Sequence, residues 1–84
     1  MGQNKRHTPI RLAQKLKAIR LHLGLTGEEL IRRLDCPSIP LDTGSITRYE
    51  KGLREPVMIV VLKYARLAKV PVETLMDDEM DLPL

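Results

Sequence analysis

Proline and glycine divide this sequence into short segments, which favours elements of modest length joined by short turns. Gly24 and Gly52 are placed to end helices. Pro56 and Pro71 are placed to start them, and the prolines within residues 35–42 indicate a loop. Between these breaks, apolar residues recur every three or four positions, which is the spacing of one helix face. The first such face consists of Leu12, Leu16, Ile19 and Leu23.

Side chains that cap helices mark where the helices begin. Thr26 is followed three residues later by Glu29, which is the T-x-x-E spacing of a capping box. Thr8 and Asp42, or the threonine after Asp42, are placed to accept a hydrogen bond from an early helical N–H group. We expect the helix that follows Asp42 to span about residues 44–51.

One segment, residues 57–62, suits either a strand or a helix, because this apolar run is rich in β-branched residues. Lys63, Arg66 and Lys69 then follow three positions apart and continue a helical pattern. No second strand is predicted that could pair with the run, so we interpret it as helix. The sequence therefore predicts an all-α fold, a compact bundle of five helices.

The net charge of +3 is distributed unevenly along the chain. Residues 1–71 carry all fourteen Lys and Arg residues but only six of the eleven acids, whereas residues 72–84 carry five acids and no base. A basic body of this kind attracts a polyanion, and the acidic end is repelled by it. We divide the chain into a basic arm (1–7), a helical domain (8–76) and an acidic tail (77–84).

The composition argues against several classes of protein. His7 and His22 are far apart and Cys36 is the only cysteine, so no metal-ligand spacing is present. We find neither a phosphate-binding glycine loop nor a nucleophile–base pair, and we expect no enzyme activity, cofactor or metal. No apolar run approaches the roughly 20 residues that cross a bilayer, and no secretion signal is recognisable. We expect a cytoplasmic protein.

Five pieces of the sequence carry a family resemblance. They are R-L-H-L-G-L-T-G-E-E-L at 20–30, S-I-T-R-Y-E-K-G at 45–52, R-E-P at 54–56, L-K-Y-A-R-L-A-K-V at 62–70 and V-E-T-L at 72–75. In this order and spacing they resemble the Cro/phage-repressor type of helix-turn-helix domain, also called the xenobiotic-response-element family. The resemblance covers about residues 12–76.

The resemblance implies a lambda-repressor-like fold, in which the second of five helices crosses the DNA backbone and the third enters the major groove. It implies a transcriptional regulator of bacterial or phage type that binds an operator in double-stranded DNA, usually as a homodimer. It also implies an ion pair between Arg20, late in the first helix, and Glu50, late in the third. Such a pair would lock these two helices together.

Two features depart from the family pattern. Residues 35–45 separate the apolar faces of the second and third helices, and this turn is several residues longer than usual. The extra loop is available to DNA or to a protein partner. The start of the second helix usually offers a long polar side chain to a phosphate, but Gly27 offers only its backbone N–H group and the helix dipole.

The third helix carries the residues that we expect to contact bases. Arg48 is the first candidate, because an Arg can bridge guanine O6 and N7; a phosphate contact or solvent exposure are the alternatives. Thr47 suits a thymine methyl group, a phosphate or a hydrogen bond to its own helix. The candidate base contacts are Thr43, Gly44, Ser45, Thr47 and Arg48.

Residues near the helix ends and in the basic arm are the candidate phosphate contacts. They are Thr26, Gly27, Lys51, Arg54, Lys5 and Arg6. For the last two, a tail that contributes only diffuse attraction is the alternative. Lys15 and Lys17 are interpreted as a solvated face of the first helix rather than as phosphate neighbours.

The acidic tail has three interpretations. It pairs with the basic body of its own or a partner subunit, it holds a dimer together through apolar residues, or it frays. Because related domains often dimerise near the fourth and fifth helices, the resemblance favours the dimer contact. The residues of that contact would be Leu75, Met76, Met80 and Leu82.

Two functions remain open at this point. The first is a sequence-specific DNA-binding regulator of transcription, located in the cytoplasm at the bacterial nucleoid. The alternative is a protein-interaction module such as an antitoxin or adaptor, in which the loop at 35–42 and the apolar residues of the tail are the working surfaces. The two overlap, because many such modules also bind DNA.

Overall fold

The computed structural model describes residues 9–84, and all regular secondary structure in this range is helical. The helices are α1 (Leu12–Leu23), α2 (Gly27–Leu34), α3 (Thr43–Glu50), α4 (Met58–Ala68) and α5 (Glu73–Met76). The predicted all-α bundle of five helices is confirmed. The ambiguous apolar run at 57–62 forms the start of α4, so its helical interpretation is also confirmed.

The core lies where the five helices meet. α1 packs against α3, α4 and α5, and α2 packs against α3 and α4. The largest side chains that are fully buried are Tyr64, Leu16, Ile19, Leu30, Leu34, Leu75 and Val60. Each buried Leu, Ile or Val contributes about 1.5–3 kcal/mol through removal from water. Because α1 and α2 both pack against α3, this core holds α3 in place.

The first helix begins later than its sequence signals indicate. α1 starts at Leu12, with Arg11 at the N-cap position and no local side-chain cap. The predicted cap, Thr8, lies outside the described residues. The helix ends as predicted at Gly24, whose φ of 68° is the left-handed conformation that glycine adopts without strain.

The second and third helices begin at the predicted caps. The Thr26 side chain accepts from the backbone N–H of Glu29, and the Glu29 carboxylate accepts from the backbone N–H of Thr26, at 3.1 and 2.8 Å. Asp42 accepts from the backbone N–H of Ser45 at 2.7 Å and forms an equivalent box. Such a cap stabilises a helix by about 1 kcal/mol.

The long connection between α2 and α3 is packed onto the core. Cys36 is buried in it, and Ile39 and Leu41 pack against the core. Asp35 ends α2 in the left-handed region, with a φ of 51°. This turn therefore adds apolar contacts, and it exposes mainly Pro37, Ser38 and Pro40.

Candidate functional site

The N-termini of α2 and α3 lie side by side. A Cβ atom at Gly27, the first residue of α2, would lie 3.5 Å from Cγ2 of Thr43, the first residue of α3. The N–H groups of a helix start carry a partial positive charge, so two such ends together favour an anion. This is the end of the molecule where the predicted contacts Thr26, Gly27, Thr43 and Gly44 are brought together.

Carboxylates at the same end neutralise part of the positive charge of the two helix starts. Glu28 is exposed in the first turn of α2, Glu29 completes the capping box of α2, and Asp42 caps α3. Hydrogen bonds from Thr26 lower the pKa of Glu29, and hydrogen bonds from Ser45 lower the pKa of Asp42, so both carboxylates are ionised at neutral pH. An anion must therefore approach the backbone N–H groups past three negative charges.

The predicted ion pair between Arg20 and Glu50 is present. Nε of Arg20 donates to Oε2 of Glu50 at 2.6 Å and Nη2 donates to Oε1 at 3.0 Å, while Nη1 donates to the Leu25 carbonyl at 3.1 Å. The side chains are 21% and 9% exposed. The hydrogen bond to Glu50 raises the pKa of Arg20. The pair ties the end of α1 to the end of α3 and to the turn before α2.

One side of α3 is exposed and polar. Thr43, Thr47, Arg48 and Lys51 are exposed, whereas Ile46 and Tyr49 are buried. The Thr47 hydroxyl donates to the Thr43 carbonyl at 3.0 Å, so its hydrogen bond to its own helix is present. Its methyl group stays available to a partner. Within α3, the exposed side therefore offers Arg48 among small side chains, and Lys51 follows directly after the helix.

Ser45 does not belong to this exposed side, and its prediction as a base contact is wrong. The residue is 5% exposed. Its hydroxyl donates to the Asp42 carboxylate at 3.0 Å and accepts from the Asp42 backbone at 3.4 Å. Because the N3 position of a capping box points back toward the cap, this side chain closes the helix start and cannot reach a partner.

Lys51 and Arg54 lie on either side of the glycine turn that ends α3. Gly52 has a φ of 72°, and Leu53 N–H donates to the Arg48 carbonyl at 2.9 Å. Both basic side chains are exposed. Lys5 and Arg6, the other predicted phosphate contacts of this kind, lie outside the described residues.

The acidic tail folds back onto the start of α1. The Asp78 carboxylate accepts from the backbone N–H groups of Ile10 and Arg11, each at 2.9 Å. The Arg11 guanidinium donates to the Asp78 carbonyl at 2.7 Å and to Asp81 at 2.6 Å. The hydrogen bonds to Arg11 and Ile10 lower the pKa of Asp78. Of the three interpretations of the tail, pairing with its own basic body is present.

Lys15 is buried, so its interpretation as a solvated residue is wrong. The side chain is 4% exposed, and Nζ donates to the carbonyls of Thr74 and Asp77 at 2.7 and 2.9 Å. The signal in the sequence was its position three residues after Leu12, on the same apolar face. Asp78 had no comparable signal, because it contacts α1 only after the chain folds.

An apolar groove lies between α4 and α5. Its volume is about 430 Å³, and its lining residues are Met58, Ile59, Val61, Leu62, Val72 and Met76. Met76 is one of the predicted dimer contacts and is exposed, but Leu75 is 0% exposed. The prediction of Leu75 as a dimer contact is therefore wrong, because its side chain fills the core of its own chain. Met80 is exposed and Leu82 is half-buried.

Comparison with protein-family models, curated proteins and solved structures gave no match to this chain. Among residues 9–84, no group of three or more His, Cys, Asp or Glu side chains is arranged to hold a metal ion. The helices in this range are also too short or too polar to cross a membrane.

Proposed function

We propose that this protein is a sequence-specific regulator of transcription that binds double-stranded DNA, of the Cro/phage-repressor helix-turn-helix type. The observation that carries the proposal is the side of α3 that exposes Thr43, Thr47 and Arg48 while its other side is buried. A rigid helix with one exposed polar side suits the major groove, where side chains read base edges. The cytoplasm of a bacterium, at the nucleoid, is the location that this function requires.

Each element then has a role in binding. Arg48 contacts a base, and Gly44, Thr43 and Thr47 allow α3 to approach closely. Lys51 and Arg54 contact phosphates beside the exit of α3. The backbone N–H groups at the start of α2, near Thr26 and Gly27, contact a further phosphate, and Lys5 and Arg6 add attraction from the arm. The pair of Arg20 with Glu50 keeps α3 fixed while it binds.

Selection of bound sequences from a random pool of duplex DNA tests the proposal. We expect a consensus sequence, and binding that weakens with salt at a slope of log K on log salt near −5, for about six phosphate contacts. Absence of a consensus, together with binding that is insensitive to salt, would contradict the proposal.

Replacement of Arg48 separates base contacts from phosphate contacts. We expect Arg48→Ala to weaken binding to the selected sequence by about 1–3 kcal/mol and to relax the preference at one base pair. Arg66→Ala is the matched control, since Arg66 is an exposed Arg on α4. Equal weakening on all sequences would reassign Arg48 to a phosphate.

We further propose that the protein binds DNA as a homodimer through the α4–α5 groove, in which Met58 and Met76 are exposed. Exposed apolar side chains that line one groove favour contact with another protein surface. Sedimentation of wild type and Met58→Glu tests this, with Leu53→Glu as a control at an exposed apolar residue outside the groove. A monomeric wild type would contradict the homodimer.

The same groove favours the second candidate function, a protein-interaction module such as an antitoxin or adaptor. In that case the groove and the loop at 35–42 bind a different protein, and DNA binding is secondary. A stable heteromeric complex that Met58→Glu abolishes, formed by a protein that selects no DNA consensus, would favour this candidate.

A further inference from the structure

The side chain of Arg48 lies over the first turn of α3, and the missing side chain of Gly44 makes this arrangement possible. A Cβ atom at Gly44 would lie 3.4 Å from Nη1 and 3.7 Å from Nη2 of Arg48, and 3.3 Å from Oδ1 of Asp42. The guanidinium group and the carboxylate therefore lie close to the same point, one turn before Arg48 itself. Contacts at 3.3–3.4 Å are tight for a Cβ atom, so an alanine at this position displaces one of its neighbours.

The Asp42 carboxylate is the less mobile of these two neighbours. Its Oδ1 accepts from the backbone N–H and from the hydroxyl of Ser45, at 2.7 and 3.0 Å. These two hydrogen bonds, and to a smaller extent the positive charge of Arg48, lower the pKa of Asp42. A negative charge is thus held at the start of α3, where it attracts the Arg48 guanidinium group. Residues 9–84 provide no comparable hydrogen bonds to that guanidinium group.

We propose that Gly44 and Asp42 determine sequence specificity by setting the direction of the Arg48 guanidinium group. This inference rests on the proposed function. Gly44 provides the space over the helix start, and Asp42 draws the guanidinium group into it. Arg48 is thereby oriented before DNA arrives, so that the N–H groups of its planar fork are presented to a pair of acceptors on one base. Gly44 and Asp42 are positioning residues, and Arg48 makes the contact.

Substitution of Gly44 separates this role from a purely structural one. Alanine is a better helix former than glycine, and the φ angle of Gly44 is in the ordinary helical range. We expect Gly44→Ala to leave Tm unchanged or to raise it. A change in DNA preference then cannot be explained by unfolding of α3.

The first arm of the experiment needs no DNA. It measures the pKa of the Asp42 carboxyl group by NMR in wild type, Arg48→Ala, Gly44→Ala and the double variant. We expect Arg48→Ala and Gly44→Ala each to raise this pKa, because each removes or displaces the positive charge. The double variant should match Arg48→Ala. An unchanged pKa in Arg48→Ala, or a further rise in the double variant, would overturn the proposed arrangement.

The second arm repeats the random-pool selection with the same four proteins. We expect Gly44→Ala to change the preference at the base pair that depends on Arg48 by at least about fivefold, and to change nothing once Arg48 is alanine. Asp42→Asn, which retains a side-chain cap but not the charge, should change the same base pair. An unaltered preference in Gly44→Ala would overturn the role in specificity. If wild type selects no consensus while the first arm succeeds, the proposed function fails and the specificity role with it, but the placement of Arg48 stands.

Discussion

α1 and its neighbours α2 and α3 begin in different ways. Thr26 and Asp42 cap α2 and α3 through residues three positions away. The start of α1 has no side-chain cap of its own among the described residues and is closed by Asp78, 67 and 68 positions away. The other end of α1 is also held from a distance, by the pair of Arg20 with Glu50. The ends of α1 therefore depend on the completed fold, whereas α2 and α3 begin at local capping signals.

The contacts that make folding cooperative are therefore those of α1. A capping box closes a loop of only a few residues, so its entropic cost is small and it can form early. The contacts of α1 form only when the rest of the chain is in place, and their loss affects the whole molecule. Loss of a distant contact of α1 should therefore cost more stability than loss of a local cap.

Removing Glu50 should have the largest effect on stability. Glu50→Ala leaves the Arg20 guanidinium partly buried without its partner, and we expect the free energy of unfolding to fall by about 3 kcal/mol. Urea denaturation measures this value. Glu28→Ala, an exposed acid on α2, is the control. An equal loss for both variants would show that the distant pair matters no more than a surface charge.

Removing the ammonium group of Lys15 should have the next largest effect. Lys15→Met keeps the apolar stem but takes away the Lys15 hydrogen bonds to the Thr74 and Asp77 carbonyls, at an expected cost of about 2 kcal/mol. The Asp77 carbonyl keeps its bond from the Met80 backbone N–H, so the cost falls mainly on the Thr74 carbonyl. Lys17→Met is the matched control, because Lys17 is exposed on the same helix. Thermal unfolding of both variants would contradict the role of Lys15 if their Tm values were equal.

Removing the Asp78 carboxylate, the distant cap at the start of α1, should cost more stability than removing a local cap. Thr26→Ala should lower stability by about 1 kcal/mol. We expect Asp78→Ala to lower Tm further, because it removes two backbone hydrogen bonds and detaches the tail from Arg11. Hydrogen exchange should show that Thr26→Ala loosens mainly α2, whereas Asp78→Ala loosens α1 and the tail together. A loss confined to the tail would remove the contrast.

Acid should weaken the distant cap in a defined range of pH. The pKa of Asp78 is lowered in the folded state, so its contribution is complete above the unfolded pKa of about 3.9 and is lost as the pH falls through the folded pKa. The difference in Tm between wild type and Asp78→Asn should therefore be largest near neutral pH and should shrink below about pH 4. A difference that stays constant down to pH 2 would contradict this linkage.

The smallest effect on stability is expected at the hydroxyl group of Tyr64. Oη of Tyr64 is buried and, within residues 9–84, accepts and donates no hydrogen bond; burial raises its pKa. We expect Tyr64→Phe to leave stability unchanged or to raise it by up to about 1 kcal/mol, because burial of an unpaired polar group is unfavourable. A clear loss of stability would reveal a hydrogen bond to this group.

The features that could be predicted are those that depend on short separations along the chain. The Thr26 and Asp42 caps, the Gly24 and Gly52 helix ends and the buried faces of α1 and α3 follow from residues within one or two turns. The ion pair of Arg20 with Glu50 came from the family resemblance, not from spacing. The prediction for Ser45 is wrong because a residue in the first turn of a helix can either complete a capping box or face a partner. The two roles differ only in the direction of the side chain, which the sequence does not show.

Local sequence signals therefore predict the five helices, most of their limits and the exposed polar side of α3, because capping and periodicity act over a few residues. Packing of the folded chain decided that Lys15 is buried, that Leu75 belongs to the core and that the acidic tail closes α1. It also decided that Gly44 leaves room for Arg48 beside Asp42. These features depend on which surfaces come into contact once the chain has folded, and local sequence patterns do not predict such contacts.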